Sequence, residues 1–317
     1  MFSRARFYPV TTTACCLFFA ASNATAASPS FEGASDEIER ISVYADQLFQ
    51  DTTKVSPTSV VTEDVLEAIN LITSEDAVAY EPSLVIRRRY VGDPNGVIGI
   101  RGSGMFQTAR SLVFADGLPL HYLLQTRFSG SPRWSLVGPD EIQTAEVIYG
   151  PFSAEYSGNS MGGVVNITTK NPQTRRFVAQ GTLISQDYNE LGTEDNFNGN
   201  RVYFAYEDVV GNLGWFVSYN RLNNKSQPMT NYFVSADNAQ LLEDQGVSGF
   251  IEGLDDNGES VIYIGDSGAE TSVTDLYKAK FVYTLNNAEI RATIAYEERT
   301  RDEDDKRNYL IDASGNA

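Results

Sequence analysis

Histidine and cysteine are almost missing from this chain of 317 residues: there is one histidine, His121, and the two cysteines, Cys15 and Cys16, are adjacent near the N-terminus. Such a set cannot supply the three or four nitrogen and sulfur ligands of a zinc centre. A Ser-His-Asp or Cys-His constellation would have to run through His121 alone. Basic residues are scarce as well, 24 against 42 acids for a formal net charge of −18, so the chain repels phosphate backbones, which argues against nucleic-acid binding. Beyond Ala27 no apolar run approaches the roughly 18 residues of a membrane-spanning helix. What the chain has in quantity is glycine (25), tyrosine (17) and phenylalanine (17), the composition of a turn-rich β protein.

Residues 1–26 read as a secretory signal peptide. Arg4 and Arg6 form a positive start, Ala14–Ala21 a short apolar run, and Ala24-Thr-Ala26 a small-residue cleavage site. Cleavage there removes both cysteines, so no disulfide framework is expected. Residues 27–50 are a polar tether holding one short alternating segment, Glu39, Arg40, Ile41, Ser42, Val43, Tyr44 and Ala45.

From 51 to 172 helix and strand signals mix. Thr62 is a candidate N-cap for a helix over Glu63–Ile72, with acids in its first turn and Val65, Leu66, Ile69 and Ile72 on one face. A second helical stretch runs from Ser74 to about Tyr80, before Pro82. Short apolar runs follow at 83–86, 97–100, 111–114, 145–148 and 164–169, the strands of a small domain. Asp116-Gly117-Leu-Pro is a turn with glycine at a positive-φ position, Tyr149-Gly150-Pro151 is a reversal, and Gly162-Gly163 lets a strand pass close to another backbone, as where a sheet abuts a wall. Arg101 and Glu146 are single charges inside apolar runs, which suits either exposed strand ends or a structural ion pair.

Residues 173–317 change to long strands of period 2. Tyr277, Ala279, Phe281, Tyr283 and Leu285 share one face with Ile290, Ala292, Ile294 and Tyr296 of the next strand, while Lys278, Lys280 and Thr284 lie on the other. Strands of about ten residues with an aromatic-ended apolar face suit a lipid-spanning barrel. The expected strands are 176–188, 201–209, 213–222, 275–285 and 288–299, joined by tight turns near 210–212 and 286–287 and by long loops at 189–200 and 223–274. Short turns at one end and long loops at the other match an outer-membrane barrel.

Four blocks then carry a resemblance: Ile100-Arg101-Gly102; Leu112–Leu120 with Asp116-Gly117; Ile142–Pro151 with Glu146, Gly150 and Pro151; and Gly162-Gly163 running to Lys170. In order and spacing they resemble the plug domain of TonB-dependent outer-membrane transporters, followed by the start of the barrel. Ser83, Ser103 and Ser157 stand where that family more often has glycine or an aromatic. The resemblance implies an α+β plug, a small mixed sheet with short helices, over 51–172, and antiparallel transmembrane β-barrel strands after it. About five strands cannot close a barrel, so the chain is expected to be an N-terminal fragment of one. The resemblance identifies Glu39–Ala45 with the TonB box, the alternative being a plain tether. The short distance from cleavage site to box implies that no signalling domain intervenes.

It also places Arg87, Arg88, Arg89 and Tyr90 at the plug apex with Tyr122, Arg127 and Trp134 beside them. Arginines and aromatics there suit an anionic ferric chelate, and a solvated loop is the competing reading. Asp255–Glu259 lacks the full spacing of a calcium loop, Gly102-Ser-Gly104 lacks the third glycine of a dinucleotide loop, and 301–306 is a charged loop tip. The expected function is therefore TonB-dependent import of a scarce ligand, a ferric siderophore first, across the bacterial outer membrane. The expected partners are TonB, the ligand, and outer-membrane lipid and lipopolysaccharide. Neither cofactor nor enzymatic activity is expected. The alternative is a non-transporting surface receptor or adhesin, or a truncated gene product, on the same fold.

Overall fold

The computed structural model describes residues 56–103, 110–121, 131–150, 156, 158 and 160–316. The signal segment and Glu39–Ala45 lie outside them, as do Tyr122, Arg127 and Pro151.

The first part is built on a five-stranded sheet. β1 (Thr58–Val61) leads into α1 (Glu63–Ala68), after which β2 (Leu84–Arg87) and β3 (Val97–Ile100) pair with each other as a separate two-stranded sheet. β4 (Ser111–Ala115), β5 (Leu118–Pro119), β6 (Ile142–Tyr149) and β7 (Gly163–Thr169) join β1 in the order β1-β6-β7-β4-β5, with β4 and β7 parallel. Its core is aliphatic: Val113, Ala145, Val147 and Val165 are fully buried, with Ile98, Ile100, Val78 and Leu66 packed above them.

Two helical expectations are corrected. α1 stops at Ala68 because Ile69 is already extended, as β-branched and Asn residues take over. Val65, expected on the buried face, is exposed while Leu66 is buried. The second stretch is a 3-10 turn over Ser74–Val78, closed by Asp76, whose carboxylate accepts the Thr73 N–H at 2.9 Å. The Asp116-Gly117 turn has φ of 48° and 79° and closes the β4–β5 hairpin in the left-handed conformation that a two-residue hairpin requires.

The second part is a curved antiparallel wall. β8 (Arg176–Glu190), β9 (Thr193–Val210) and β10 (Leu213–Ser226) follow one another. β11 (Asn231–Ser235), α2 (Asn238–Asp244), β12 (Ile251–Leu254) and β13 (Ser260–Asp266) then form a module at one end. β14 (Glu270–Thr284) and β15 (Glu289–Glu303) complete a wall of order β15-β14-β10-β9-β8, and β16 (Arg307–Asn308) pairs with β13.

The loops expected at 189–200 and 223–274 are corrected here. β8 and β9 continue through 189–200 and are joined by the two-residue turn Leu191-Gly192, with φ of 48° and 75°. The stretch 194–200 is rich in Asn, Glu and Asp, so it shows no apolar alternation even though the backbone ladder continues. The long connection after β10 holds the β11–β13 module instead of an open loop.

Along the wall the side chains alternate as the period demands. Leu276, Lys278, Lys280 and Val282 are buried against the first part; Tyr277, Phe281, Tyr283, Ile290, Ile294 and Tyr296 are exposed on the opposite face. Tyr219, Tyr277 and Tyr296 form a row across three strands, with ring centroids 5.0 and 6.3 Å apart. The Tyr219 hydroxyl donates to Asp275 at 2.6 Å, and Arg221 reaches the same carboxylate at 3.1 Å.

Candidate functional site

The inward face of the wall is cationic where the small domain is acidic. Glu141, 3% exposed, ends the 3-10 turn Pro139–Glu141 immediately before β6. Its carboxylate accepts the Lys278 ammonium at 2.8 Å and the Ser218 hydroxyl at 2.5 Å. Asp116, at the tip of the β4–β5 hairpin, accepts the Thr169 N–H and hydroxyl at 2.8 and 2.6 Å and Lys280 at 3.2 Å. Lys280 also donates to the Thr169 hydroxyl at 2.8 Å. Arg201 of β9, 1% exposed, donates to Asn220 at 2.7 Å and pairs with Asp140. Ser135 bridges outward to Glu297 and Arg299 of β15.

Spacing by two puts Lys278 and Lys280 on one face of β14, each opposite its own acid. Burial alone would push the Asp116 carboxyl up, but the hydrogen bonds from Thr169 and the Lys280 ammonium hold it below the usual carboxylate range. The sequence signal for this junction was the charged face of β14; the acids Asp140 and Glu141 and the partner Arg201 were not singled out. Nothing in their local pattern marks an acid as buried.

The upper loops of the small domain show a second set of charges. Arg88 is paired with Asp76 at 2.7 Å and Glu75 at 3.3 Å, and donates to the Thr73 hydroxyl at 2.8 Å. Burial pushes the Glu75 carboxyl up, opposed by its backbone hydrogen bond and by Arg88. Arg89 makes a forked contact to Asp93 at 2.9 Å through Nε and through the terminal nitrogen. Despite burial, the Arg89 and Asn95 hydrogen bonds hold Asp93 below its ordinary value. Tyr90 is buried, and burial followed by the neighbouring Glu270 carboxylate pushes its phenol up. Trp134 is 4% exposed and donates its indole N–H to the Gly96 carbonyl at 3.0 Å. Arg88, Arg89 and Trp134 are thus built into the domain's own hydrogen bonding, Tyr90 is buried against Glu270 of the wall, and Arg87 on β2 is exposed.

Arg101, at φ 51°, donates to the Gly150 carbonyl at 2.8 Å and lies over the Tyr149 ring at 5.3 Å. Glu146 accepts from Asn166 at 3.4 Å. The two-glycine step is corrected: its close approach is internal to the small domain. A Cβ on Gly162 would sit 1.7 Å from the Ser103 hydroxyl, and one on Gly163 2.7 Å from the Ile148 carbonyl. Gly150 is equally confined, 2.5 Å from the Met161 carbonyl. Gly102, at φ 77°, faces open space. His121 is buried and its Nε2 accepts the Val113 N–H at 3.0 Å, which places the ring proton on Nδ1. Among the described residues no group of three or more His, Cys, Asp or Glu is arranged to hold a metal ion.

A small mixed domain ion-paired to one face of an antiparallel wall, whose other face is apolar and exposed, is the arrangement of a plug domain against barrel strands. Residues 50–164 match the family model described as TonB-dependent Receptor Plug Domain. That stretch is similar to the plug of a TonB-dependent receptor, and the strands after it have the antiparallel arrangement of that fold's barrel.

The ferric enterobactin receptor PirA of Pseudomonas aeruginosa is 37% identical over 89 residues, 26% of this chain and 11% of that protein. Among solved structures, the ferric enterobactin receptor PfeA of P. aeruginosa (the G324V mutant) superposes with a TM-score of 0.53 at 18% identity, covering 78% of this chain and 34% of that one. The siderophore receptor PirA of Acinetobacter baumannii gives 0.51 at 18%, covering 77% and 32%. The chain thus spans about a third of the length of these structures.

Proposed function

We propose that this chain is the plug and first wall strands of an importer that moves a ferric siderophore across the bacterial outer membrane, driven by TonB. The observation that carries the reading is the buried seam of Glu141–Lys278 and Asp116–Lys280. A domain with its own sheet, seated against a membrane wall by a few ion pairs, is a stopper that something must dislodge. The match to the plug family and the siderophore-receptor names of the relatives support the ligand class.

In this reading the turns near 211–212 and 285–288 face the periplasm, where TonB engages Glu39–Ala45 by strand addition. The β11–β13 module faces outward, on the side of the plug apex at Arg87–Tyr90; Tyr122 and Arg127, outside the described residues, remain candidate ligand contacts from the sequence alone. Arg88 and Arg89 arrive already ion-paired, so they shape the ligand face through their positions. The mechanism needs binding, force and passage, and no covalent step.

The test uses the complete receptor in cells, with uptake of labelled ferric siderophores measured with and without a proton uncoupler. Uptake abolished by the uncoupler and by Val43→Pro, with surface binding retained, is the expected result. Uptake unaffected by either overturns the reading, and binding without any uptake favours a non-transporting receptor.

A further inference from the structure

We propose that three connections at the far end of the wall, the β8–β9 tip, the β11–β13 module and the strap from Asp304 to Ile311, form one rigid body keyed by Asp266. This goes beyond the import reading and does not depend on it. Asp266 has no exposed surface. Its carboxylate accepts the Arg307 guanidinium at 3.1 Å through Nε and at 2.5 Å through a terminal nitrogen, the Tyr309 hydroxyl, and the Gly268 N–H at 2.7 Å. Arg307 in turn donates to the Thr193 hydroxyl at the β8–β9 tip. One buried acid therefore gathers donors from its own module and from the strap, and through Arg307 it reaches the neighbouring hairpin.

The backbone is stitched along the same line. Gly265 and Asp266 pair with Asn308 and Arg307. Tyr309 N–H donates to Ile264 at 3.0 Å, Ser248 and Ile311 exchange two bonds at 2.9 and 2.8 Å, and Asp304 N–H reaches Ala269 at 2.8 Å. Glycines mark how closely the strap lies. A Cβ would come within 2.1 Å of the Tyr309 carbonyl at Gly249, 2.4 Å of the Arg307 carbonyl at Gly265 and 2.6 Å of the Asp305 carbonyl at Gly268. At the β8–β9 tip a Cβ on Gly192 would lie 2.3 Å from the Ile251 side chain. These segments have the packing of a folded subdomain rather than of independent loops, so motion on this side should be that of one body.

Hydrogen exchange on the complete receptor in lipid nanodiscs tests this. In the native protein the amides around 193, 251–254, 262–266 and 307–311 should exchange with one shared opening rate. Asp266→Asn should accelerate all of them together by roughly tenfold or more, because a charge-assisted acceptor is lost, while β9, β10 and β14 beside the plug stay protected. Acceleration confined to 264–268 and 307–309 would overturn the proposal. Should that variant not accumulate, Thr193→Val cuts only the tie to the β8–β9 tip. It should free that tip and leave the module–strap coupling intact, and no change at the tip refutes the single body.

Discussion

Replacing Lys278 by Met would test the seam directly. The substitution keeps most of the aliphatic stem and removes the ammonium that lies 2.8 Å from Glu141. Both side chains are nearly sequestered, 7% and 2% exposed, so the abandoned carboxylate cannot be rehydrated without moving the plug. Breaking one side of a buried pair costs about 3–5 kcal/mol. Glu141 retains the Ser218 hydroxyl and, weakly, the Gly138 N–H at 3.4 Å, which places the cost near the lower bound. About 3 kcal/mol corresponds to a loss of roughly a hundredfold in the plug's seating equilibrium. In the complete receptor in detergent, urea should release the plug earlier, read as protease cleavage within β6–β7 before the wall unfolds. Replacing both partners, Lys278→Met with Glu141→Leu, should recover most of the loss, because it leaves no unpaired charge behind. A single variant that costs under about 1 kcal/mol, or a double variant no better than the single, would refute the idea that this pair seats the plug.

Asp116 supplies a pH signature: its folded-state carboxyl lies below its ordinary value, so its contribution is fully present above about pH 4 and fades as pH falls through the folded value. Asp116→Asn should therefore lower plug stability at neutral pH and flatten the acid limb of a denaturation series; an unchanged limb would contradict the assignment. Arg88→Met should destabilise the plug by about 1–3 kcal/mol, since it takes the cation from the buried Glu75 while Asp76 keeps its backbone donors, and a stable variant with weakened ligand binding would instead mark Arg88 as a ligand contact. Gly163→Ala should cost about 1–3 kcal/mol in plug stability, because its Cβ meets the Ile148 carbonyl, while Gly181→Ala, with open space around it, serves as the neutral control. His121→Ala should cost about 1–3 kcal/mol by orphaning the Val113 N–H and leave ligand uptake measurable; complete loss of uptake in a folded receptor would assign the histidine a direct role.

The elements most legible in the sequence were those whose one face is dry. The alternation of Tyr277, Phe281 and Tyr283 against Lys278 and Lys280 announced both the strand and which side faced the protein interior. Asp116-Gly117 announced its hairpin through the φ > 0 requirement, and Ser83, standing where the family more often has glycine, does adopt φ 57°. Legibility failed where apolar alternation is absent. Residues 194–200 extend the β8–β9 ladder with the buried Phe197 as their one apolar side chain, so no hydrophobic period betrays them, and the β11–β13 module is stitched by pairings distant in sequence. The candidate site divided in the same way. The arginine cluster was conspicuous as composition, but its acids Glu75, Asp76 and Asp93 are contributed by separate turns, and only the fold shows Arg88 and Arg89 already engaged. Asp140, Glu141 and Arg201 look like ordinary charges until tertiary contact buries them.

The tyrosine row across β10, β14 and β15 has a mechanical consequence. Its rings lie on the exposed face of the wall, the lipid side in the proposed function, and directly beyond Tyr219 and Tyr277 stand Arg221 and Asp275 on the same face. Sliding the wall toward the bilayer centre would carry that ion pair into hydrocarbon, at a cost that rises with depth from about 0–1 toward about 2–4 kcal/mol for the arginine. In an importer wall the row therefore acts as a waterline that fixes the depth of β14 in the membrane. Because Lys278 and Lys280 hang from the same strand, a pull on the plug is resisted first by two salt links and then by the flotation of the wall. A stopper can be drawn only from a vessel that stays put, and in the proposed function a bilayer gripping one aromatic row would hold the vessel.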